Sequence, residues 1–327
     1  MNAEPPGKGR PALSVLVALH QSADHLRTAL AALSAQDVAD AEFVFCDDAS
    51  TDGTADMIRP QLEECGLSDR ARVMRHEVNR GAGKTRQELL SAARGEYVVF
   101  MDPDDRIDPG MYSGLLAMAR KEDADVVWEG YFTVTGDEVV RHEERLDAAT
   151  AAEMRRAILR GDIHGSVCNK VFRLDFIRRA GVHFREETTC CIDLDFMADL
   201  LLANPRIAYN PGCHYRYVLR RGSLSHGAML PHLPSFVRLA GRLEEHVADA
   251  ADAAAVQAFK ARFRYYAAMD FSVPDAVFAG YLPETRRLYG GFSSLQRVLF
   301  WLCVHGLRPF VRLAWRLRHP MTGYGHG

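Results

Sequence analysis

The chain lacks several features that would have pointed elsewhere. No apolar run approaches the ~20 residues that a membrane-spanning helix requires. The first ten residues, Met1 to Arg10, contain no apolar core of the kind a secretory signal needs, and read as a short disordered leader rich in Gly and Pro. None of the seven cysteines stands in a C-x-x-C pair, and Cys190 and Cys191 are adjacent. That excludes the common zinc spacings and a disulfide framework, and suits free thiols in a reducing cytoplasm. A net charge of -3 gives no reason to expect nucleic acid as a partner. One deficit is local: no Asp or Glu follows Glu284, while seven arginines do, Arg286, Arg287, Arg297, Arg308, Arg312, Arg316 and Arg318.

What is present is a regular alternation. Leu13 to Leu19 is a nearly continuous apolar run, suited to a strand buried on both faces of a parallel sheet. Asp24 to Ala35 carries leucines at helical spacing. Glu42 to Cys46 is a second strand, ending in the polar turn Asp47 to Gly53, which caps a helix from Thr54. Arg72 to Arg75 is a short strand, Gly83 to Arg94 a helix, and Tyr97 to Met101 a strand running straight into Asp102-Pro103-Asp104-Asp105. The order strand, helix, strand, helix predicts an α/β fold with a mostly parallel sheet and helices on both faces. Further on, Asp125 to Val134, Val167 to Phe172 and Arg206 to Tyr209 read as strands, and 148–160 and 193–202 as helices. From Leu233 the chain turns helical and alanine-rich, so a helical C-terminal region is expected over 228–327.

The acidic clusters fall where two of these strands end, and ligands of parallel sheets bind beyond the carboxyl ends of strands. Asp102, Asp104 and Asp105 crowd carboxylates within four positions. Such crowding is relieved by a divalent cation, and Mg²⁺ or Mn²⁺ is commonly held by one or two carboxylates plus substrate phosphate oxygens. A solvated turn built around Pro103 and Pro109 would also explain the cluster. Asp47-Asp48 is a second acidic pair, for which capping and turn formation are the plainer account.

Taken in order, Ser14 to Leu19, Asp47-Asp48-Ala49-Ser50-Thr51-Asp52-Gly53-Thr54, Asn79-Arg80-Gly81 and Ala93 to Asp105 resemble the successive signatures of family 2 glycosyltransferases. Weaker similarities continue at Asn169 to Arg173, Asp193 to Phe196, Tyr215-Arg216 and Ser223 to Ser225, so the resemblance covers residues 12 to 226. It implies a GT-A fold and an inverting transfer from a nucleotide-diphosphate sugar, most often UDP-linked, assisted by Mn²⁺ or Mg²⁺. The nucleotide-sugar half would then span 11–110 and the acceptor and catalytic half 111–227. On this resemblance Asp102 and Asp104 match the metal-holding Asp-x-Asp, Asp48 would meet the base, and Arg86 falls where an arginine serves the donor. Asp193 matches the catalytic base, with Asp195 as its rival. Ala18, His20, Asp47, Pro103, Lys170, Arg216 and Ser223 complete the expected donor-binding set.

The sequence departs from that pattern in places. Ala18-Leu19-His20-Gln21 stands where the family often has Pro-x-Tyr-Asn, Ile192-Asp193 where it has Glu-Asp, and Gln87 where it has Asn. Gly83-Lys84-Thr85 resembles the end of a P-loop, but Val78 stands where that loop needs glycine. Arg216, Arg220, Arg221, Ser223 and His226 form a basic segment that would close over a diphosphate as a lid. A surface loop accounts for it equally, and Lys170 has the same two readings.

Around 292–319, Leu295, Val298, Leu299 and Leu302 share a helical face, and Arg308, Arg312 and Arg316 recur every four residues beside Trp315. That pattern suits peripheral contact with an anionic membrane surface, here the inner face of the plasma membrane. Packing on the catalytic region or on a second subunit is the alternative, which would make the chain a homo-oligomer. The expected acceptor is a glycan, a lipid-linked sugar or a secondary metabolite. Two rival functions share the pattern. A sugar nucleotidyltransferase would carry a Gly-rich basic loop after the first strand, which His20 to Leu26 lacks. A non-catalytic scaffold would not need Asp102, Asp104 and Asp193 intact.

Overall fold

A computed structural model of the chain describes residues 9–146, 150–219, 230–270, 273–280 and 293–318. It divides into two compact units, Met1–Ile158 with Asp162–Arg221, and Leu159–Gly161 with Gly222–Gly327.

The first unit begins as the alternation predicts: β1 (Leu13–Leu19), α1 (Ala23–Ser34), β2 (Ala41–Asp47), α2 (Thr54–Glu64), β3 (Ala71–Arg75), α3 (Ala82–Ala92) and β4 (Tyr97–Met101). It continues through β5 (Arg106–Ile107), α4 (Met111–Lys121), β6 (Val126–Thr135), β7 (Glu138–His142), α5 (Ala151–Arg160), β8 (Lys170–Arg173), α6 (Leu174–Ala180), α7 (Ile192–Leu202) and β9 (Ile207–Val218). Among the described residues these strands form one sheet, in the order β3-β2-β1-β4-β8-β6-β9-β5, with β7 added beside β6. From β3 to β4 every pairing is parallel. Beyond β4 the sheet is mixed: β8 runs antiparallel to both β4 and β6, whereas β6 and β9 are parallel.

The core follows from the apolar runs. Leu13, Val15, Leu16, Val17 and Leu19 of β1 are essentially inaccessible, as are Val98, Val99 and Phe100 of β4, because helices cover both faces of these central strands. Leu26, Leu30 and Leu33 of α1 and Leu89 of α3 supply the covering layer. A polar staple ties the strand starts together. The buried Glu42 carboxylate accepts hydrogen bonds from Ser14 Oγ at 2.6 Å, from the Arg94 amide at 2.7 Å and from Arg94 Nε at 3.0 Å. Next to it the backbone of Gly95 runs so close to β1 that a Cβ would sit 2.6 Å from the Ser14 nitrogen and 2.7 Å from the Tyr97 carbonyl oxygen. Only glycine fits at that approach.

The second unit contains α8 (Leu233–Glu245), α9 (Ala250–Met269), α10 (Asp275–Gly280), α11 (Ser294–Leu302) and α12 (Arg308–Arg318). Phe236 stacks on Phe263 at 4.4 Å and packs beside Phe259. The expectation that Arg308 meets lipid is corrected here. Its guanidinium is buried and donates to the carbonyl oxygens of Ala268 at 2.9 Å, Val273 at 2.6 Å and Ala267 at 3.2 Å, while pairing with Asp275 at 2.7 Å. The end of a helix leaves carbonyls unsatisfied, and Arg308 supplies their donors. Leu295, Val298, Trp301, Phe310 and Leu313 remain about half exposed or more. No helix among the described residues is long and apolar enough to cross a membrane.

Candidate functional site

The carboxyl ends of β1, β2 and β4 open together, since register aligns Leu19 with Asp47 and Val17 with Met101. The loops leaving β1 and β2 are laced by side chains. Asp52 accepts from the amides of Ala23 at 2.9 Å and Thr54 at 3.0 Å, the first residues of α1 and α2. Gln21 and Thr51 exchange further hydrogen bonds. His20 donates from Nδ1 to the Asp48 carbonyl oxygen at 2.8 Å and accepts on Nε2 from Asn79 Nδ2 at 3.1 Å. Its ring is therefore tied to the loops that follow β2 and β3, with Ala18 half-buried two residues before it.

Asp47 and Asp48 point to different tasks, as neighbours on a strand must. Asp47 is buried, with Arg75 Nε 3.4 Å from one oxygen and neither oxygen hydrogen-bonded. Asp48 accepts from the amides of Arg80 at 2.7 Å and Gly81 at 2.8 Å and pairs with His76 Nδ1 at 2.7 Å. His76 Nε2 reaches Glu88 at 2.8 Å. Burial pushes the Asp48 carboxyl up, but the His76 and amide hydrogen bonds outweigh it and hold the group below the usual carboxylate range. Burial lowers His76, whereas its two carboxylate partners raise it more, so the imidazolium is favoured. Gly81, at φ 81°, lets the chain turn into α3 at this clamp. His76 and Glu88 are the residues sequence reasoning missed. Glu88 lies one helical turn from Lys84 and nothing in the local pattern links it to Asp48. The Cys46 thiol, His76 and Glu88 bring potential ligand atoms within 4.8 Å, but His76 is spent on the two carboxylates.

At the end of β4, Asp102, Pro103 and Asp104 are half-exposed. Arg86 of α3 is buried and forks between two carboxylates, donating from one nitrogen to Asp102 at 2.7 Å and from the other to Asp193 at the start of α7. The second oxygen of Asp193 accepts from the Val167 amide at 3.2 Å, and that of Asp102 faces the Cys168 thiol at 3.6 Å. Burial raises the Asp193 carboxyl above its ordinary range, with Arg86 opposing and Asp102 adding to the rise. The two base candidates stand in different surroundings. Asp195 is buried and bound to Thr188 Oγ1 at 2.9 Å and Arg185 at 3.4 Å, on the side of α7 away from Arg86.

Asp105 turns inward, accepting from the Tyr215 hydroxyl and the Val218 amide, so it anchors the Asp-x-Asp turn to β9. Asp105 is buried, whereas Asp102 and Asp104 keep partial exposure. Their hard carboxylate oxygens, half-exposed at a strand end, fit a divalent cation shared with phosphate oxygens.

Two expected donor contacts stand elsewhere. Lys170 is wholly buried and donates to the carbonyl oxygens of His164 at 3.0 Å and Ser166 at 2.7 Å and to Asn169 Oδ1 at 2.6 Å. Burial depresses its pKa, and its role is to hold the 164–168 loop against Asp193. Arg216 lies over the Phe132 ring and grips Asp108 through Nε at 2.8 Å and a terminal nitrogen at 2.7 Å. Lys84 is paired with Glu186. Ser223, with Arg220, Arg221 and His226, lies outside the described residues.

Residues 14–180, just over half of the chain, match the family described as Glycosyl transferase family 2. Among curated proteins the chain is 26% identical over 237 residues to the succinoglycan biosynthesis protein ExoO of Rhizobium meliloti, covering 69% of this chain and 66% of that protein. Among solved structures, S. aureus TarS 1-349 in complex with UDP-GlcNAc superposes with a TM-score of 0.71 at 20% identity, covering 94% of this chain and 92% of the other. The mannosyltransferase PcManGT from Pyrobaculum calidifontis, in complex with GDP-Man and Mn²⁺, gives 0.55 at 15% identity over 97% and 89%. At these identities the structural likeness establishes the fold.

Proposed function

The chain belongs to glycosyl transferase family 2, and on that premise we propose that it transfers a sugar, with inversion, from a nucleotide-diphosphate sugar to a glycan or lipid-linked acceptor. The observation that carries this reading is the Arg86 fork, which brings Asp102 of the partly exposed Asp-x-Asp turn and Asp193 to within one guanidinium of each other. A UDP-linked donor is the first choice, since the TarS neighbour holds UDP-GlcNAc. Polysaccharide chemistry is in keeping with the succinoglycan relative.

In the proposed reaction Asp193 accepts the proton of an acceptor hydroxyl as its oxygen attacks the anomeric carbon. The bond from that carbon to the diphosphate oxygen breaks on the opposite side, which inverts the centre. The raised pKa of Asp193 strengthens it as a base. Asp102 and Asp104 would hold Mn²⁺ or Mg²⁺, which when bound offsets charge on the diphosphate. Arg86 orients both carboxylates and keeps Asp193 turned toward the donor side. Asp48, by fixing the amides of Arg80 and Gly81, shapes the pocket floor near His20 and Ala18 where a base would lie.

The test is donor turnover, measured as release of UDP from a panel of UDP-sugars with and without Mn²⁺. Asp193→Asn is expected to keep nucleotide binding and lose transfer by ~100-fold or more. Asp195→Asn should act through stability, because its Thr188 and Arg185 contacts are structural. The opposite ranking would overturn the assignment of the base.

We further propose that α11 and α12 contact an anionic membrane peripherally, through the exposed Leu295, Val298, Trp301, Phe310 and Leu313 and the acid-free, arginine-rich end of the chain. Co-sedimentation with anionic vesicles at low salt, lost in a Trp301→Ser/Phe310→Ser double variant, is the expected result. Equal sedimentation of the variant would refute it.

A further inference from the structure

One group of side chains beside the site is not used by the donor chemistry. Tyr131 of β6 stacks on His142 of β7, with ring centroids 4.6 Å apart and planes 16° from parallel. Tyr131 also lies 5.2 Å from His164, and His164 lies 5.6 Å from Tyr217 of β9. Register explains the assembly. Tyr131 stands opposite His142 on one side and Tyr215 on the other, and Thr133 stands opposite Tyr217. Side chains alternate along a strand, so Tyr131, Thr133, Tyr215 and Tyr217 share one sheet face. Tyr131, His142, His164 and Tyr217 are all partly exposed, and the two tyrosines also pack against the core.

This face connects the two halves of the candidate site. Tyr215 is its buried member, and its hydroxyl donates to Asp105, next in the chain to the partly exposed Asp102–Asp104 turn. His164 opens the loop whose Val167 amide holds Asp193, and Gly165 of that loop lies against Leu194. Lys170 fixes the loop by gripping the His164 and Ser166 carbonyls. An acceptor must present its hydroxyl to Asp193, and the aromatic face lies beside that loop.

The composition of the face selects among acceptors. A pyranose ring offers a patch of C–H groups on one face and hydroxyls around its edge. The π-face of an aromatic ring carries negative charge density and attracts the C–H patch, while the ring edges stay polar. Here phenol hydroxyls, imidazole nitrogens and Thr133, whose Oγ1 lies 2.9 Å from His142 Nε2, surround the rings. A lipid tail would need a continuous aliphatic groove, and this face is studded with polar groups. We propose that Tyr131, His164 and Tyr217 form the subsite that holds a sugar ring of the acceptor, and that the acceptor end entering the site is therefore a glycan. The proposal rests on the reading of Asp193 as the base.

The experiment uses the full chain and saturation-transfer NMR with disaccharides of glucose, galactose and N-acetylglucosamine, with UDP present. Tyr217→Leu and His164→Ala are compared with Tyr217→Phe, which keeps the ring, and melting temperatures check folding. The expected result is binding of at least one disaccharide to the natural protein, weakened tenfold or more by Tyr217→Leu and by His164→Ala and largely kept by Tyr217→Phe. Binding unchanged in folded Tyr217→Leu and His164→Ala variants, or no disaccharide bound by the natural protein, overturns the subsite. UDP binding, followed in the same samples, judges the donor reading separately: its absence would overturn the UDP-linked donor, while the disaccharide signal still decides the aromatic face.

Discussion

Replacing Arg86 with methionine tests the centre of the site. The guanidinium is buried and holds two carboxylates, each keeping some exposure, 33% for Asp102 and 20% for Asp193. Removing one partner from a buried ion pair costs ~3–5 kcal/mol, because the remaining charge is left uncompensated. Residual hydration of both carboxylates places the expected loss at the lower end, about 2–3 kcal/mol. For a unit of this size that is a fall of roughly 4–12 °C in melting temperature. The assay is a thermal or urea melt of Arg86→Met, Asp193→Asn and the double variant. If the loss arises from two unbridged anions, removing one of them should restore part of it. The double variant should then be more stable than the sum of the single effects by about 1 kcal/mol or more, the size of coupling seen between contacting groups. A melting temperature unchanged by Arg86→Met, or strict additivity in the cycle, would refute the bridging role. Methionine keeps much of the side-chain volume, so a cavity is a minor contributor.

Three other outcomes are expected. The His76 pKa is raised above its ordinary 6.5, so its contribution is complete below pH 6.5 and lost as pH rises through the folded value, while the lowered Asp48 contributes above pH 3.8 and is lost as pH falls through its own folded value. Melting temperature should therefore decline from pH 6.5 to 8.5 in the natural protein and decline less in His76→Gln; parallel curves would refute the clamp. Lys170→Met leaves three oxygen acceptors without their donor, at about 1–3 kcal/mol for each buried group left unsatisfied, and a urea midpoint within error of the natural protein would show that the 164–168 loop does not depend on it. Gly95→Ala drives a methyl group into the backbones of Leu13, Ser14 and Tyr97, and should cost roughly 3 kcal/mol or abolish folding, checked by circular dichroism of the purified variant.

Local residue patterns were enough for the parallel core. Continuous apolar runs such as Leu13–Leu19 can satisfy their side chains only when covered on both faces, and acidic turns after them can lie only at strand ends. The Asp-x-Asp turn was legible for the same reason, as carboxylates placed where an apolar strand stops, whereas Arg86 and Asp193 were singled out by the family resemblance and not by periodicity. The antiparallel β5 and β7 were not, being short strands whose pairing is decided by partners far along the chain.

Only the tertiary structure assigned partners. A charge in a sequence does not reveal what neutralises it. Asp193 and Asp195 sit two residues apart on one helix, and their partners diverge because α7 turns one toward Arg86 and the other toward Thr188 and Arg185. In the sequence Lys170, Arg216 and Arg308 could each be read as a cation meeting phosphate or lipid or as a structural one. In the structure each satisfies buried acceptors or a carboxylate brought near by folding, since a buried cation left unmatched would cost more than the fold could sustain. The sequence by itself determined where carboxylates, aromatics and arginines stand along each element. Which of them face one another, and so which remain open for a ligand, was decided by the packing of residues more than a hundred positions apart, as Arg86 with Asp193 and Asp105 with Tyr215 demonstrate.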